Sequence, residues 1–178
     1  DGVDDMKFTD SAGDTMPEDG EGRDRAGREA ENITVGFHAK KNMGLALANS
    51  LHAVQSGADF VEGTRRDLGG GAGNAQIEVL AGVMKRNGYE TGVDFYGLMD
   101  LAADVVEPLM LRPQTIDNGS LMLAYTGVYS SFLLHVYDAA KKYSLDPRDI
   151  LVELGRRKMV GGQEDMIIDV AYQLTQKV

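Results

Sequence analysis

His38 and Lys40 are the side chains in this sequence placed to do chemistry together. They follow the run Ile33, Val35, Phe37 and stand two residues apart, so on an extended strand both point to one face at its carboxyl end. The imidazole of His38 can ligate a metal or serve as a satisfied structural group. An ammonium has no lone pair, so Lys40 could ligate only after losing a proton well below its usual pKa of about 10.4. Asp10 and Ser11 close an earlier strand and by themselves read as an Asx or serine turn. The run Gly69-Gly70-Gly71-Ala72-Gly73-Asn74 could cradle a phosphate at a helix N-terminus. Its spacing fits neither the Rossmann nor the P-loop fingerprint, and a tight strand-to-helix turn capped by Asn74 is the plainer reading.

Further along, Tyr129 sits between Gly127 and Phe132 in what the pattern makes a long helix, where most tyrosines are amphipathic packing residues. Gly161 and Gly162 read as a helix break. Arg156, Arg157 and Lys158 suit a helix end, where cations meet the negative end of the dipole. His52 and His135 lie on helices without companions.

The elements that must position these groups alternate. Met6 to Asp10 reads as a short strand, and Pro17-Glu18-Asp19 as a helix start with acids at its positive end. The helix that should follow is poor, because Gly20, Gly22 and Gly27 each cost about 1 kcal/mol relative to Ala, and Asp24 and Arg28 interrupt its apolar stripe. After the His38 strand, Asn42 is placed to cap a helix with Leu47, Leu51 and Val54 on one face and Gly57 as its left-handed stop. Asp59 to Thr64 is a third strand, and the glycine run opens a helix whose core face is Ile77, Leu80, Ala81 and Met84. This order predicts an α/β fold of parallel strands joined by right-handed crossovers, in which ligands sit at the carboxyl ends of the strands.

Beyond Gly92 the pattern becomes helical. Asp94 caps a helix carrying Leu98, Leu101, Ala102 and Val105 that ends near Pro108, and Ser120 begins a long helix reaching Tyr143. Asp146-Pro147 starts another, and a final helix shows Ile167, Val170, Ala171 and Leu174 on one side. The domain boundary is expected near residue 92, giving 1–92 and 93–178.

Composition excludes several classes. The 178 residues carry a net charge of −10, which argues against non-specific nucleic-acid binding and for small molecules or proteins as partners. No cysteine is present, so disulfides, thiolate metal sites and cysteine nucleophiles are out, leaving oxygen and nitrogen for any metal. No apolar run approaches the roughly 20 residues of a membrane span, and the acidic start is unlike a signal or transit peptide. A cytoplasmic protein is the expectation.

The residues His38-Ala39, Asn42 and Ala48-Asn49-Ser50, then Leu68-Gly69 through Asn74, Val128-Tyr129-Ser130-Ser131-Phe132 and Met159-Val160-Gly161-Gly162-Gln163-Glu164-Asp165, resemble those of the 4-hydroxy-2-oxovalerate aldolase family. The likeness runs from Asp10 to Val170 and covers the second half of the family's length. It implies the last three strands of a TIM (β/α)8 barrel followed by a small helical domain, the barrel's first half lying elsewhere. It further implies a class II lyase that cleaves 4-hydroxy-2-oxovalerate to pyruvate and acetaldehyde in the breakdown of aromatic compounds. By the same resemblance His38 is a ligand of a divalent metal, Mn2+, and Lys40 stands where a second His is usual.

Ser11, His38 and Tyr129 would border substrate, with Tyr129 as a catalytic orienting group. Gly161 and Gly162 would line the aldehyde's route to an acylating acetaldehyde dehydrogenase docked on the helical domain. The base, an enolate-stabilising Arg and a metal-binding Asp would belong to the first half, so the isolated chain is expected to be inactive. A Claisen-type acyl-CoA lyase or synthase is an alternative, against which the Tyr129 and Gly161-Gly162 blocks argue. A non-catalytic partner-binding homologue is another, and Lys40 favours it.

Overall fold

The carboxyl ends of three parallel strands carry the candidate chemistry: β1 (Asp5–Asp10), β2 (Thr34–Ala39) and β3 (Phe60–Glu62), in the order β1-β2-β3. The computed structural model describes residues 5–17 and 33–176. The expected helix after Pro17, with Gly20, Asp24 and Gly27, lies outside them. Strand register sets Thr9 opposite His38, Asp10 opposite Ala39, and His38 opposite Glu62. β2 has neighbours on both sides, and Val35, Phe37 and Ala39 are buried, as a central parallel strand requires.

Helix α1 (Ala46–Gln55) and helix α2 (Ile77–Arg86) cover one face of this sheet. Their core joins Phe37, Ala39, Ala46, Ala53, Leu80 and Met84, with Leu47, Leu51, Val54 and Ile77 packed against it. Gly57 takes the left-handed conformation (φ 98°) expected of the stop after α1. Asn42 does not cap α1, which begins after Leu45 without a side-chain cap. Nor does Asn74 cap α2, whose N-cap is Gln76. Both asparagines are spent inside the site, described below.

Helix α3 (Phe95–Leu101) is capped by Asp94, whose carboxylate accepts from the Gly97 amide at 3.1 Å. It widens into a π turn at Ala102–Val106 and tightens to a 3₁₀ turn at Glu107–Leu109, where Pro108 ends it. Ala102 is buried, whereas Leu101 and Val105 are exposed. The expected apolar stripe is broken because a π turn shifts the 3.6-residue phase on which that stripe was counted.

The long helix expected from Ser120 to Tyr143 is two helices, α4 (Asn118–Thr126) and α5 (Phe132–Tyr143). Gly127 adopts φ 68° and terminates α4, so Val128 to Ser131 form a connecting loop. A reciprocal capping box between Asp117 and Ser120 starts α4. Helix α6 (Pro147–Arg156) begins at Pro147 behind the Asp146 cap, and α7 (Met166–Thr175) follows the Gly161-Gly162 break, both as expected. These helices share a second core of Leu123, Val128, Phe132, Val136, Ile150, Leu151, Leu154, Ile167 and Val170.

One ion cluster ties this core's rim to solution pH. Glu153 on α6 is buried and accepts from Arg156 Nε and Nη2 and from Arg157 Nε, all at 2.8 Å. The Arg156 hydrogen bonds, then those of Arg157, pull its carboxyl from the usual 4.5 down to about 2. A carboxyl depressed in the folded state contributes stability that is complete above its unfolded pKa and is lost as pH falls toward the folded one. The melting temperature of the helical part is therefore expected to fall between about pH 4.5 and pH 2, with a shallower slope in Glu153→Gln. Circular dichroism melts across that range check it; identical slopes would remove Glu153 from the account.

Candidate active site

At the strand ends His38 is half-buried, with Nε2 engaged and the buried Nδ1 making no hydrogen bond. Nε2 lies 3.2 Å from Asn74 Oδ1, and Nδ1 lies 3.3 Å from Glu62 Oε2. The Asn74 amide nitrogen donates to the Leu68 carbonyl at 2.9 Å, which orients Oδ1 as the acceptor facing His38. An acceptor there assigns the proton to Nε2. Glu62 Oε2 also accepts from the Lys7 ammonium at 2.9 Å, and that bond, ahead of the His38 contact, holds its carboxyl below the usual value.

Lys40 lies one residue past β2, in a bridge to Asn74. Its ammonium donates to the Gly70 carbonyl at 3.3 Å. Burial lowers the Lys40 pKa, and the carboxylate of Asp10 partly restores it. Ser130, in the loop between α4 and α5, reaches the same place: a Cβ on Gly70 would stand 3.3 Å from Ser130 Oγ and 3.7 Å from Lys40 Nζ. Tyr129, expected within a helix, is in that loop and half-exposed, with its ring 3.6 Å from where a Gly161 Cβ would be. The structure thus brings together His38, Lys40, Asn74, Gly70 and Ser130, and sets Tyr129 against Gly161. Ser11 lies at the end of β1, just past Asp10.

Asp10 is buried and serves its own turn, Oδ1 accepting from the Gly13 amide at 2.9 Å and the Asp14 amide at 3.1 Å. Its pKa is raised, chiefly by burial. Asn42, fully buried, donates to the Ala12 carbonyl at 2.8 Å and accepts from the Ala72 amide at 2.9 Å. It staples the β1 turn to the glycine loop, a positioning role that its place in the sequence suggested only as a cap. Lys41 pairs with Asp67, and both Arg66 and Asp67 hold positive φ, 52° and 51°. A hollow of about 500 Å³ opens beside this pair, lined also by Gln76, Glu107 and Arg112. Its cations Lys41 and Arg66 are matched by Asp67 and Glu107.

Residues 2–105 match the HMGL-like family model. The chain belongs to the HMGL-like family. Residues 114–176 match a DmpG-like communication domain. The chain is 62% identical over 176 residues to a protein of Moorella thermoacetica named 4-hydroxy-2-oxovalerate aldolase, covering 99% of this chain and 52% of that protein. A protein of the same name from Carboxydothermus hydrogenoformans is 55% identical over 98% of this chain and 52% of its own length. The chain therefore spans about half the length of the curated relatives it matches.

Among solved structures, the carboxyl transferase domain of Rhizobium etli pyruvate carboxylase with pyruvate aligns over 99% of this chain and 32% of its own, with TM-score 0.76 at 18% identity. Bacillus subtilis HMG-CoA lyase aligns over 64% of this chain and 40% of its own, with TM-score 0.56 at 26% identity. The three-stranded parallel sheet with its helices is accordingly part of a barrel of the HMGL-like kind, followed by a helical domain.

The family resemblance implies a divalent metal at His38, and the residues present do not fit one. Asn74 takes the Nε2 side of the imidazole, and Nδ1 is free of hydrogen bonds but lies 3.3 Å from a Glu62 oxygen already bonded to Lys7. Lys40, which the resemblance puts where a second His is usual, has no lone pair to give as an ammonium. Among the described residues no group of three His, Cys, Asp or Glu side chains is placed to hold an ion.

Proposed function

We propose that the protein to which this chain belongs is a 4-hydroxy-2-oxovalerate aldolase, releasing pyruvate and acetaldehyde. The observation that carries the reading is identity of 51–62% to proteins of that name, running through both the strand-rich part and the helical part of the chain. In the reaction a base removes the 4-hydroxyl proton, the C3–C4 bond breaks, acetaldehyde leaves, and the resulting pyruvate enolate takes a proton at C3. Ser11, His38 and Tyr129 are the residues of this chain assigned to substrate, with Tyr129 orienting it. Asn74 fixes the ring and tautomer of His38. The base and the enolate-stabilising Arg are assigned to the other half of the barrel. Manganese would suit such an enzyme's oxygen and nitrogen donors, but this chain brings it only His38, and no step is assigned to it.

The division into residues 1–92, barrel, and 93–178, partner docking, is part of this reading. So is an acylating acetaldehyde dehydrogenase on the helical part, receiving the aldehyde past Gly161 and Gly162; the match of residues 114–176 to a communication domain supports it. No helix among the described residues is long and apolar enough to cross a membrane, and a cytoplasmic role in aromatic-compound breakdown fits the proposal. A second reading, a homologue that docks a partner without turning over, is favoured by Lys40 and by the engaged His38.

The test is pyruvate release from 4-hydroxy-2-oxovalerate by the complete gene product, with and without manganese. Turnover is expected there and none from the 178-residue chain, because three strands leave the sheet edges at β1 and β3 open. Sustained turnover by the chain would overturn the half-barrel reading. Absence of turnover from the complete protein would leave the docking homologue.

A further inference from the structure

The mismatch between this site and a metal ion has its own chemical content. Lys40 Nζ carries three N–H donors, and the structure gives it one acceptor, the Gly70 carbonyl, at a long 3.3 Å. Asp10 is the acid whose field favours the ammonium, yet Asp10 Oδ1 is turned into its own loop by the Gly13 and Asp14 amides. The Lys40 amine is therefore half-buried and short of acceptors. Ser130 Oγ stands beside the same glycine and adds a rotatable hydroxyl. A carboxylate, with two oxygens and about four lone-pair sites, is the complement of such a pair of donors, and ammonium-to-carboxylate bonds are among the strong ones.

We propose that in this chain Lys40, together with Ser130, binds the carboxylate of a small 2-oxo acid directly, so that the site takes its anion without a divalent metal. The inference rests on the aldolase reading for the class of ligand, and on Lys40, Gly70 and Ser130 for the mode of binding. The acid lies at the strand ends, where β1 and β2 close and the glycine loop and the α4–α5 loop meet. His38 contributes ring orientation there and no ligand bond. The helical domain is then part of the binding site, because Ser130 belongs to it.

Pyruvate is the probe, titrated by calorimetry into the complete gene product in EDTA, with manganese followed separately by water-proton relaxation. Expected are pyruvate binding in EDTA, no gain on adding manganese, and a loss of at least about tenfold in Lys40→Met, the scale of a charge-assisted hydrogen bond. Lys40→Arg should retain part of the affinity. A readout without any variant is protection of the Lys40 amine from acetylation by pyruvate, mapped by mass spectrometry. Binding that requires manganese, equal affinity in Lys40→Met, unprotected Lys40, or no pyruvate binding would each overturn the proposal. Failure here leaves the turnover test on the complete protein untouched, so the two readings fall separately.

Discussion

Phe132→Ala is expected to cost the helical part about 3–5 kcal/mol, the usual range for emptying a buried aromatic site. Phe132 opens α5 with no exposed surface, and it belongs to the cluster that joins Leu123, Val136, Ile150, Leu154 and Ile167. The cost has two sources, the lost transfer of a ring from water and a cavity that four helices, already packed, cannot fully collapse. Leu134→Ala, two residues on and 74% exposed, is the control and should change stability by no more than about 0.5 kcal/mol. Urea unfolding followed by circular dichroism compares them. Similar midpoints for the two variants would mean that α5 is not docked as described.

The same residue shows what the sequence discloses and what it withholds. Phe132, Val136, Ala139 and Ala140 keep helical spacing, so a helix through them was legible. Its start was not, because Gly127 inside an apolar run can be tolerated in a helix or can end one, and the choice depends on tertiary packing. Here Gly127 turns left-handed, Val128 drops into the core, Ser130 is freed to reach the glycine loop and Tyr129 lies against Gly161. The π turn at Ala102 was hidden for a related reason: nothing in the residue pattern marks where a helix widens.

The site was half legible on similar grounds. That His38 and Lys40 end a strand follows from local alternation, and register then sets Glu62 beside His38. Asn42 and Asn74 were both read as helix caps, the commonest use of such a residue before a helix. Long-range partners won instead: Asn42 bonds across the sheet end between Ala12 and Ala72, and Asn74 reaches His38 while its amide nitrogen is held by the nearby Leu68 carbonyl. Contacts separated by about thirty residues leave no periodic trace, and neither does the Lys41 to Asp67 pair.

Gly73→Ala should disable the site and cost about 2–4 kcal/mol, combining a left-handed backbone penalty with a steric clash. Gly73 sits at φ 98°, and a Cβ there would overlap the carbonyl oxygen of Asp67. That oxygen cannot retreat freely, since it accepts the Asn74 amide at 3.1 Å, and the Gly73 carbonyl accepts the Lys41 amide at 2.8 Å. Relief must therefore move Asn74 or residues 66 and 67, which already hold positive φ without being glycine. Any shift of Asn74 lengthens its 3.2 Å contact with His38 Nε2, so the imidazole loses the partner that fixes its orientation. Gly88→Ala separates the two costs, because Gly88 has φ 83° and nothing within 4 Å of its would-be Cβ. That control should lose about 1 kcal/mol from backbone strain alone. Thermal melts give the stabilities, and nitrogen-15 shifts of the His38 ring report the contact. Equal losses in the two variants, with the His38 shifts unmoved in Gly73→Ala, would show that the glycine loop does not hold this imidazole in place.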